Sequence, residues 1–146
     1  MAKTSQVPFY VRLGNALTLT LLRAGFKLRG PFLLFGNYPM YLLTVRGRKT
    51  GREISKPLLY LERDGKLYVV ASFGGSDKAP DWYLNLVANP EVTVERRWAH
   101  GAYRARTLGP EERKEMWPRL VALYPAYADY QRRTSRTIQL VELAPV

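Results

Sequence analysis

Short strand-like runs joined mostly by hairpin turns constrain the fold of this 146-residue chain more than any other feature. Asp64-Gly65, a strong hairpin dipeptide, separates two of these runs. A parallel doubly wound sheet needs helical crossovers between its strands, so hairpin connections argue against it. The sequence instead predicts an α+β, mainly β fold: a small antiparallel barrel of about six strands with helices packed outside. The predicted strands are residues 41–45, 54–61, 67–73, 91–97, 102–108 and 137–143.

Helical signals lie between and after the strands. Pro80 and Asp81 are typical of a helix start, and Ala88-Asn89-Pro90 is typical of its end. Gly109-Pro110-Glu111-Glu112 begins a second helix, in which Pro118 predicts a kink or a division. Pro125 begins a third, short helix that runs to Arg133. We expect one domain over residues 1–146, with the barrel in residues 40–146.

The N-terminal segment predicts an amphipathic helix over residues 7–29. Its uncharged run is ten residues long, whereas a spanning helix needs about 20 apolar residues. The helix therefore either packs on its own domain or lies on an anionic membrane surface. No secretory signal is evident, so we expect a cytoplasmic protein, with peripheral attachment at the inner face of the membrane as an option.

Composition excludes several kinds of site. The chain has no cysteine and one histidine, His100, which falls in a predicted turn, so we expect no metal centre. The formal net charge of +11 calls for an anionic partner or serves solubility alone. The candidate partners are nucleic acid, a membrane surface and a polyanionic small ligand.

Two segments about thirty residues apart favour a small ligand. Residues 46–52 place four cations and two glycines in a turn, where backbone N–H groups and guanidinium groups can approach an anion. Residues 71–86 end a strand in a small-residue loop and begin a helix that carries Trp82 and Tyr83. Because the aromatic residues lie beside apolar helical stripes rather than along an exposed groove, we expect no nucleic-acid binding. The pattern predicts a cofactor with a flat ring and a charged tail.

Taken together, these segments resemble the deazaflavin-dependent nitroreductase family, which is F420H2-dependent quinone reductase-like and uses coenzyme F420. The resemblance extends from about Tyr41 to the C terminus. Its motifs are Gly47-Arg48-Lys49-Thr50-Gly51, Pro57-Leu58, Ala71-Ser72 with Gly74-Gly75, Trp82-Tyr83 with Asn85-Leu86, Ala88-Asn89-Pro90, Glu111-Glu112-Arg113, Trp117-Pro118, Leu123-Tyr124-Pro125 and Tyr127-Ala128-Asp129-Tyr130-Gln131.

The resemblance implies a split β-barrel similar to FMN-binding split barrels, often dimeric. It implies hydride transfer from reduced deazaflavin to a small electron-poor acceptor such as a quinone, nitroaromatic or enone. Tyr124, Tyr127 and Tyr130 would face the acceptor, and a phenol would donate a hydrogen bond or a proton there. The implied cofactor-binding residues are Arg48, Lys49 and Thr50 for the phosphate, Val70, Ala71 and Ser72 for one side of the ring, and Asp81, Trp82, Tyr83 and Asn85 for the continuing wall, with Lys56 and Pro57 as further cofactor-binding residues.

Two positions depart from the family pattern and keep alternatives open. Relatives often carry arginine where this chain has Ile54 and lysine where it has Phe73, although Arg52 and Lys56 could compensate. Without those cations, a split barrel that binds a fatty acid or other amphiphile is the alternative function. FMN is the alternative cofactor, since it also needs a phosphate site and an aromatic slot.

Overall fold

The computed structural model describes residues 39–96 and 99–146. Within these ranges the chain forms seven strands, three α-helices and a short 3-10 helix, Phe73–Gly75. The strands are β1 Met40–Arg46, β2 Glu53–Leu59, β3 Leu61–Arg63, β4 Lys66–Val70, β5 Glu91–Arg96, β6 Ala99–Thr107 and β7 Leu140–Pro145. The helices are α1 Asp81–Ala88, α2 Pro110–Leu123 and α3 Ala126–Arg132.

The strands form one sheet in the order β2-β1-β5-β6-β7-β4-β3, and every pairing in the described part of the chain is antiparallel. The predicted split antiparallel barrel is therefore confirmed, with seven strands instead of about six. The additional strand arises because residues 54–61 change partners at Tyr60. Up to Leu59 the chain pairs with β1, and from Leu61 it pairs with β4.

Strand β4 separates two hydrophobic clusters. Leu67 and Val69 point into the barrel, whereas Tyr68 and Val70 point toward the cluster that includes residues of α2 and α3. This strand is thus buried on both faces. Because alternate residues of a strand face opposite sides, one strand contributes to both clusters. The barrel cluster also contains Tyr41, Trp82 and Leu143, and the outer cluster contains Met116, Leu120 and Tyr127.

Three local predictions need correction. Of the kink or division predicted at Pro118, the division is wrong and the kink stays a prediction: helix α2 continues to Leu123, since one missing N–H leaves the other backbone hydrogen bonds of the helix in place. His100 lies in β6 opposite Glu95 rather than in a turn, because the ladder begins at Ala99. The last strand starts at Leu140 rather than at residue 137, since the N–H of Ile138 donates to the side chain of Gln131 instead of joining the sheet.

One prediction concerns residues that the structure does not describe, and two statements apply to the described residues alone. The helix predicted over residues 7–29 lies outside the described residues. Within residues 39–96 and 99–146, no helix combines the length and apolar character that crossing a bilayer requires. The same residues contain no group of three or more metal-binding side chains placed to hold an ion.

Candidate functional site

The basic turn, residues 47–52, connects β1 to β2. The Gly47 N–H donates to Arg52 O at 2.7 Å, and the Gly51 N–H donates to Gly47 O at 2.9 Å. Gly51 has φ +71°, which favours glycine. A Cβ on Gly47 would lie 3.1 Å from Thr50 Oγ1, so the turn also closes tightly at its base. The two glycines therefore fix a compact turn that carries exposed cations.

Arg48 fastens this turn to helix α1. Its backbone N–H and its Nη1 both donate to Asn85 Oδ1, at 3.1 and 2.7 Å. Its Nη2 lies 3.2 Å from Asp81 Oδ1. Asp81 and Asn85 are four residues apart and so lie on the same face of α1. These contacts bring together three predicted cofactor-binding residues, Arg48, Asp81 and Asn85. Asp81 and Asn85 follow Arg48 in sequence by 33 and 37 positions.

Two further cations of the turn and one cation of strand β2 have no anionic partner among the described residues. Lys49, Arg52 and Lys56 are exposed, and none of them forms an ion pair with a described residue. Thr50 Oγ1 accepts the Arg52 N–H at 3.3 Å, which orders the turn rather than neutralising it. Several unpaired like charges on one turn repel each other, and an anion would relieve that repulsion.

The aromatic residues of α1 extend from the turn toward the barrel interior. Trp82 is 7% exposed and belongs to the barrel cluster. It meets Tyr83 edge to face, with ring centroids 6.3 Å apart, and the Tyr83 hydroxyl lies 3.0 Å from Thr107 Oγ1. Pro57 is buried in β2 opposite Leu42. Trp82 is thus part of the barrel core and Pro57 is a buried strand residue, and their predicted cofactor contacts remain predictions.

Residues 71–76 form a strained loop after β4. Val70 and Ala71 are buried and Ser72 is half-buried, but Phe73 is 43% exposed. Phe73, Gly74 and Gly75 have φ values of +46°, +64° and +81°. A non-glycine residue held in this region costs roughly 1–3 kcal/mol, so the surroundings must fix the loop. The strand predicted to reach residue 73 ends at Val70 because the chain turns here.

The loop packs directly against helix α3 at Gly75. A Cβ on Gly75 would lie 2.6 Å from Tyr130 O and 2.9 Å from Tyr130 Cα. A side chain at this position would therefore displace the helix backbone. The predicted ring wall at Ala71 and Ser72 and the predicted acceptor residue Tyr130 are connected through this contact.

Three tyrosines cluster at the junction of α2 and α3. The hydroxyl oxygens of Tyr124 and Tyr130 are 3.3 Å apart. The ring centroid of Tyr127 lies 4.9 Å from that of Tyr124 and 6.3 Å from that of Tyr130. Tyr127 is 5% exposed, and burial, followed by the charges of Tyr124 and Tyr130, raises the pKa of its hydroxyl. The raised pKa keeps Tyr127 protonated at neutral pH, so its O–H remains available as a hydrogen-bond donor.

Two further residues join these features without having been predicted. Tyr41, in β1, is 2% exposed, and its hydroxyl has no hydrogen-bond partner within the described ranges. Burial and then Tyr127 raise the pKa of Tyr41 well above its ordinary value. Arg136 donates hydrogen bonds to carbonyls of the strained loop. In sequence, Tyr41 reads as one apolar strand residue and Arg136 as one of several nearby arginines, so neither carries a distinguishing signal.

Comparison with known proteins identifies the family. A family model described as F420H(2)-dependent quinone reductase matches residues 30–145. The chain belongs to this family. An F420H(2)-dependent quinone reductase of Mycobacterium tuberculosis is 37% identical over 113 residues, which cover 74% of this chain and 74% of the relative. As a member of this family, the chain is an F420-dependent oxidoreductase, and the predicted cofactor is confirmed.

Solved structures agree with this assignment. The F420-H2 dependent reductase FDR-A is 40% identical, with a TM-score of 0.67, over 72% of this chain and 93% of its own. A protein solved as a domain-swapped dimer is 34% identical, with a TM-score of 0.69, over 92% of this chain and 96% of its own. Membership of the F420H(2)-dependent quinone reductase family therefore rests on both sequence and fold.

The side chains of the basic turn fit coenzyme F420. A deazaflavin tail carries a phosphodiester and several glutamates, and Lys49, Arg52 and Lys56 are cations without ionic partners in the described structure. Arg48 is pre-oriented by Asp81 and Asn85, so it can present its guanidinium group with little loss of side-chain entropy. The individual residue roles in this family member remain predictions.

Proposed function

We propose that this protein transfers a hydride from reduced coenzyme F420 to a small electron-poor acceptor, with quinones first and nitroaromatics and enones as further acceptors. The observation that supports the proposal is the contact between Gly75 and the backbone of Tyr130, because it joins the loop that carries the predicted ring wall to the helix that carries Tyr127 and Tyr130. A two-electron reduction needs both elements, one to position the donor ring and one to meet the charge that develops on the acceptor.

In this proposal the basic turn and α1 bind the cofactor. Arg48, Lys49 and Thr50 bind the phosphate, and Lys56 and Pro57 extend that region along β2. Val70, Ala71 and Ser72 line one side of the ring. Asp81 and Asn85 act by orienting Arg48, and Trp82 and Tyr83 continue the wall. The support is the direct bonding of Arg48 to both α1 side chains and the unpaired cations around it.

The tyrosine cluster serves the acceptor side. When bound, reduced F420 supplies the hydride, and one proton completes the reduction of a quinone to its hydroquinone. Tyr130 and Tyr124 have hydroxyl oxygens 3.3 Å apart, so one phenol can accept a hydrogen bond from the other while its own O–H donates to an acceptor oxygen. Tyr127, kept protonated by its raised pKa, holds the two rings by edge contacts. We propose Tyr130 and Tyr127 as the leading proton donors, with Tyr130 first, because the raised pKa of Tyr127 makes it a weaker acid than an ordinary phenol.

An amphiphile-binding role is the second candidate. Ile54 and Phe73 are 37% and 43% exposed, although both are large apolar side chains near the proposed cofactor site. Exposed apolar groups beside a binding site favour a ligand with an apolar part. This role predicts a lipid that stays bound during purification and no binding of deazaflavin.

We also propose that the protein forms a homodimer. The support is the similar structure solved as a domain-swapped dimer, which matches 92% of this chain at 34% identity. Light scattering after size-exclusion chromatography measures the mass directly: about twice 16.8 kDa supports the dimer, and a monomer mass contradicts it. Membrane contact through residues 7–29 stays a prediction, which flotation with anionic vesicles can test.

Ligand titration tests the proposed function first. Purified protein is titrated with oxidised F420, FMN and NADPH, and ligand fluorescence reports binding. We expect micromolar binding of F420 alone, followed by reduction of menadione when F420H2 is supplied. Binding of FMN in place of F420 would change the donor, and binding of none of the three would contradict the reductase proposal and direct attention to bound lipid.

A further inference from the structure

One arginine between α3 and β7 ties together both ends of the strained loop, residues 71–76. Arg136 Nε donates to Ser76 O at 2.8 Å. Its Nη2 donates to Ala71 O at 3.2 Å and to Ser72 O at 3.0 Å. The half-buried guanidinium group therefore holds the carbonyl that enters the loop and the one that leaves it with a single side chain.

Arg136 is itself anchored to helix α3. The Gln131 Nε2 donates to Arg136 O at 2.8 Å, and Gln131 Oε1 accepts from the Ile138 N–H at 3.0 Å and from Arg113 Nη2 at 3.1 Å. The Arg136 N–H donates to Thr134 Oγ1 at 3.3 Å. Because both its backbone and its side chain are bonded, Arg136 connects the loop firmly to the helix that carries Tyr130.

The loop needs such an external support. Phe73, Gly74 and Gly75 all have positive φ, a conformation that a free loop would populate only in part. The loop makes two hydrogen bonds within itself, from the Gly75 N–H to Ser72 O and from the Ser76 N–H to Phe73 O. Gly75 then lies against Tyr130 so closely that no Cβ would fit. The position of the loop therefore sets where Ala71 and Ser72 lie relative to Tyr130.

We propose that Arg136 is a positioning residue that, through loop 71–76, sets the distance between the ring wall at Ala71 and Ser72 and the acceptor residue Tyr130. This inference rests on the proposed function. Arg136 acts through carbonyl groups of the chain. A displacement of about 1 Å between reacting groups can lower a rate about 10²-fold, so a loosened loop would reduce turnover more than it reduces binding.

The test compares the wild type with Arg136→Ala, Arg136→Lys and a control, Arg132→Ala. Arg132 is also on this segment, but its side chain is 72% exposed and does not bond the loop. In cofactor-free protein, amide hydrogen exchange of Gly75 and Ser76 should become at least about tenfold faster in Arg136→Ala, while amides of β5 keep their rates. The exchange rates of Arg136→Lys should lie between those of the wild type and those of Arg136→Ala, because an ammonium group can still donate to some of the three carbonyls.

Kinetics with F420H2 and menadione complete the test. We expect kcat of Arg136→Ala to fall about 10- to 100-fold, with the F420 dissociation constant changed less than about threefold and Arg132→Ala unchanged. Amide exchange at the wild-type rate in Arg136→Ala would overturn the inference, whatever the kcat of the variant. Faster exchange together with a wild-type kcat would overturn it as well. If Arg136→Ala does not fold, Arg136→Lys is judged by the same criteria.

The same experiment separates this inference from the proposed function. A wild-type protein that binds no deazaflavin overturns the proposed function and the catalytic part of this inference. A wild-type protein that binds deazaflavin and reduces quinone, with Arg136→Ala equally active, overturns the positioning role alone. The exchange measurement needs no cofactor and reports on loop order in either case.

Discussion

The basic turn and the strained loop are held in place by different kinds of interaction. At the turn, Arg48 bonds to Asn85 and to Asp81, whose side chain is 85% exposed. At the loop, Arg136 bonds to backbone carbonyls, and Gly75 fits against Tyr130 with no room for a side chain. The turn thus depends on charge near solvent, whereas the loop depends on contact geometry.

This difference predicts different responses to substitution. Coulombic attraction acts over several ångströms and weakens as salt screens it, so the turn should govern cofactor affinity in a salt-dependent way. Contact geometry is short-ranged and insensitive to salt, so the loop and the tyrosines should govern turnover. Substitutions that change cofactor affinity without turnover, or turnover without cofactor affinity, will show whether the turn governs binding and the loop governs catalysis.

The largest effect is expected from removing two charges of the turn. Arg48→Ala with Lys49→Ala should weaken F420 binding about 10²-fold at about 20 mM salt, since each lost charge-assisted contact contributes about 1.5 kcal/mol. Near 200 mM salt the ratio to wild type should shrink, because screening weakens the wild-type contact. Fluorescence titration at both salt concentrations measures this change.

The control for charge alone is Arg104→Ala with Lys114→Ala, which removes the same net charge at exposed positions of β6 and α2. It should bind F420 within about twofold of wild type. An equal loss of affinity in this control would mean that overall charge, and not the turn, attracts the cofactor.

A smaller effect, on turnover only, is expected at the tyrosine cluster. Tyr130→Phe removes the hydroxyl that lies 3.3 Å from that of Tyr124 and should lower kcat about tenfold, with the F420 dissociation constant unchanged. Tyr103→Phe is the matched control, since Tyr103 lies in β6 and its hydroxyl, among the described residues, is bonded by Arg96 alone, at 3.5 Å. Wild-type kcat in Tyr130→Phe would remove Tyr130 from the proposed proton pathway.

Sequence patterns were sufficient for most of the fold. The Asp64-Gly65 dipeptide predicted a hairpin that the structure contains, with Asp64 and Gly65 at positive φ. These signals are local, because side-chain periodicity and turn chemistry depend on near neighbours. The change of partner at Tyr60 was missed, since which strand a segment pairs with depends on the closure of the whole sheet.

Sequence reasoning named candidate site residues, whose cofactor contacts stay predictions, but it did not give the contacts among them. Motifs placed Arg48, Asp81 and Asn85 in one site, yet only the fold shows that the α1 side chains hold Arg48. Arg136 carried no signal, because its importance comes from three carbonyls 60 to 65 residues away in sequence. Hydrogen bonds to backbone carbonyls do not require a recognisable pattern of side chains. Residues that make such bonds therefore cannot be identified from the sequence alone.

A third prediction concerns the bond between the turn and α1. Asn85→Ala removes the acceptor of two hydrogen bonds from Arg48 and should weaken F420 binding roughly fivefold and lower the free energy of unfolding by about 1–3 kcal/mol. Asp81→Asn breaks only an exposed ion pair, worth about 0–1 kcal/mol, and should change stability less. Urea unfolding of both variants measures the difference, and equal stability loss would contradict the assigned roles.

The smallest effect is expected at Tyr41, and it has the opposite sign. Its hydroxyl is buried without a partner in the described structure, so Tyr41→Phe should raise the free energy of unfolding by about 1 kcal/mol. Tyr68→Phe is the matched control: that hydroxyl donates to the buried Glu142, and its removal should lower stability by about 1 kcal/mol. Thermal and urea unfolding give both signs. Loss of stability in Tyr41→Phe would show that a buried water or ligand bonds this hydroxyl, which would extend the geometry-dependent region from the tyrosine cluster into the barrel interior.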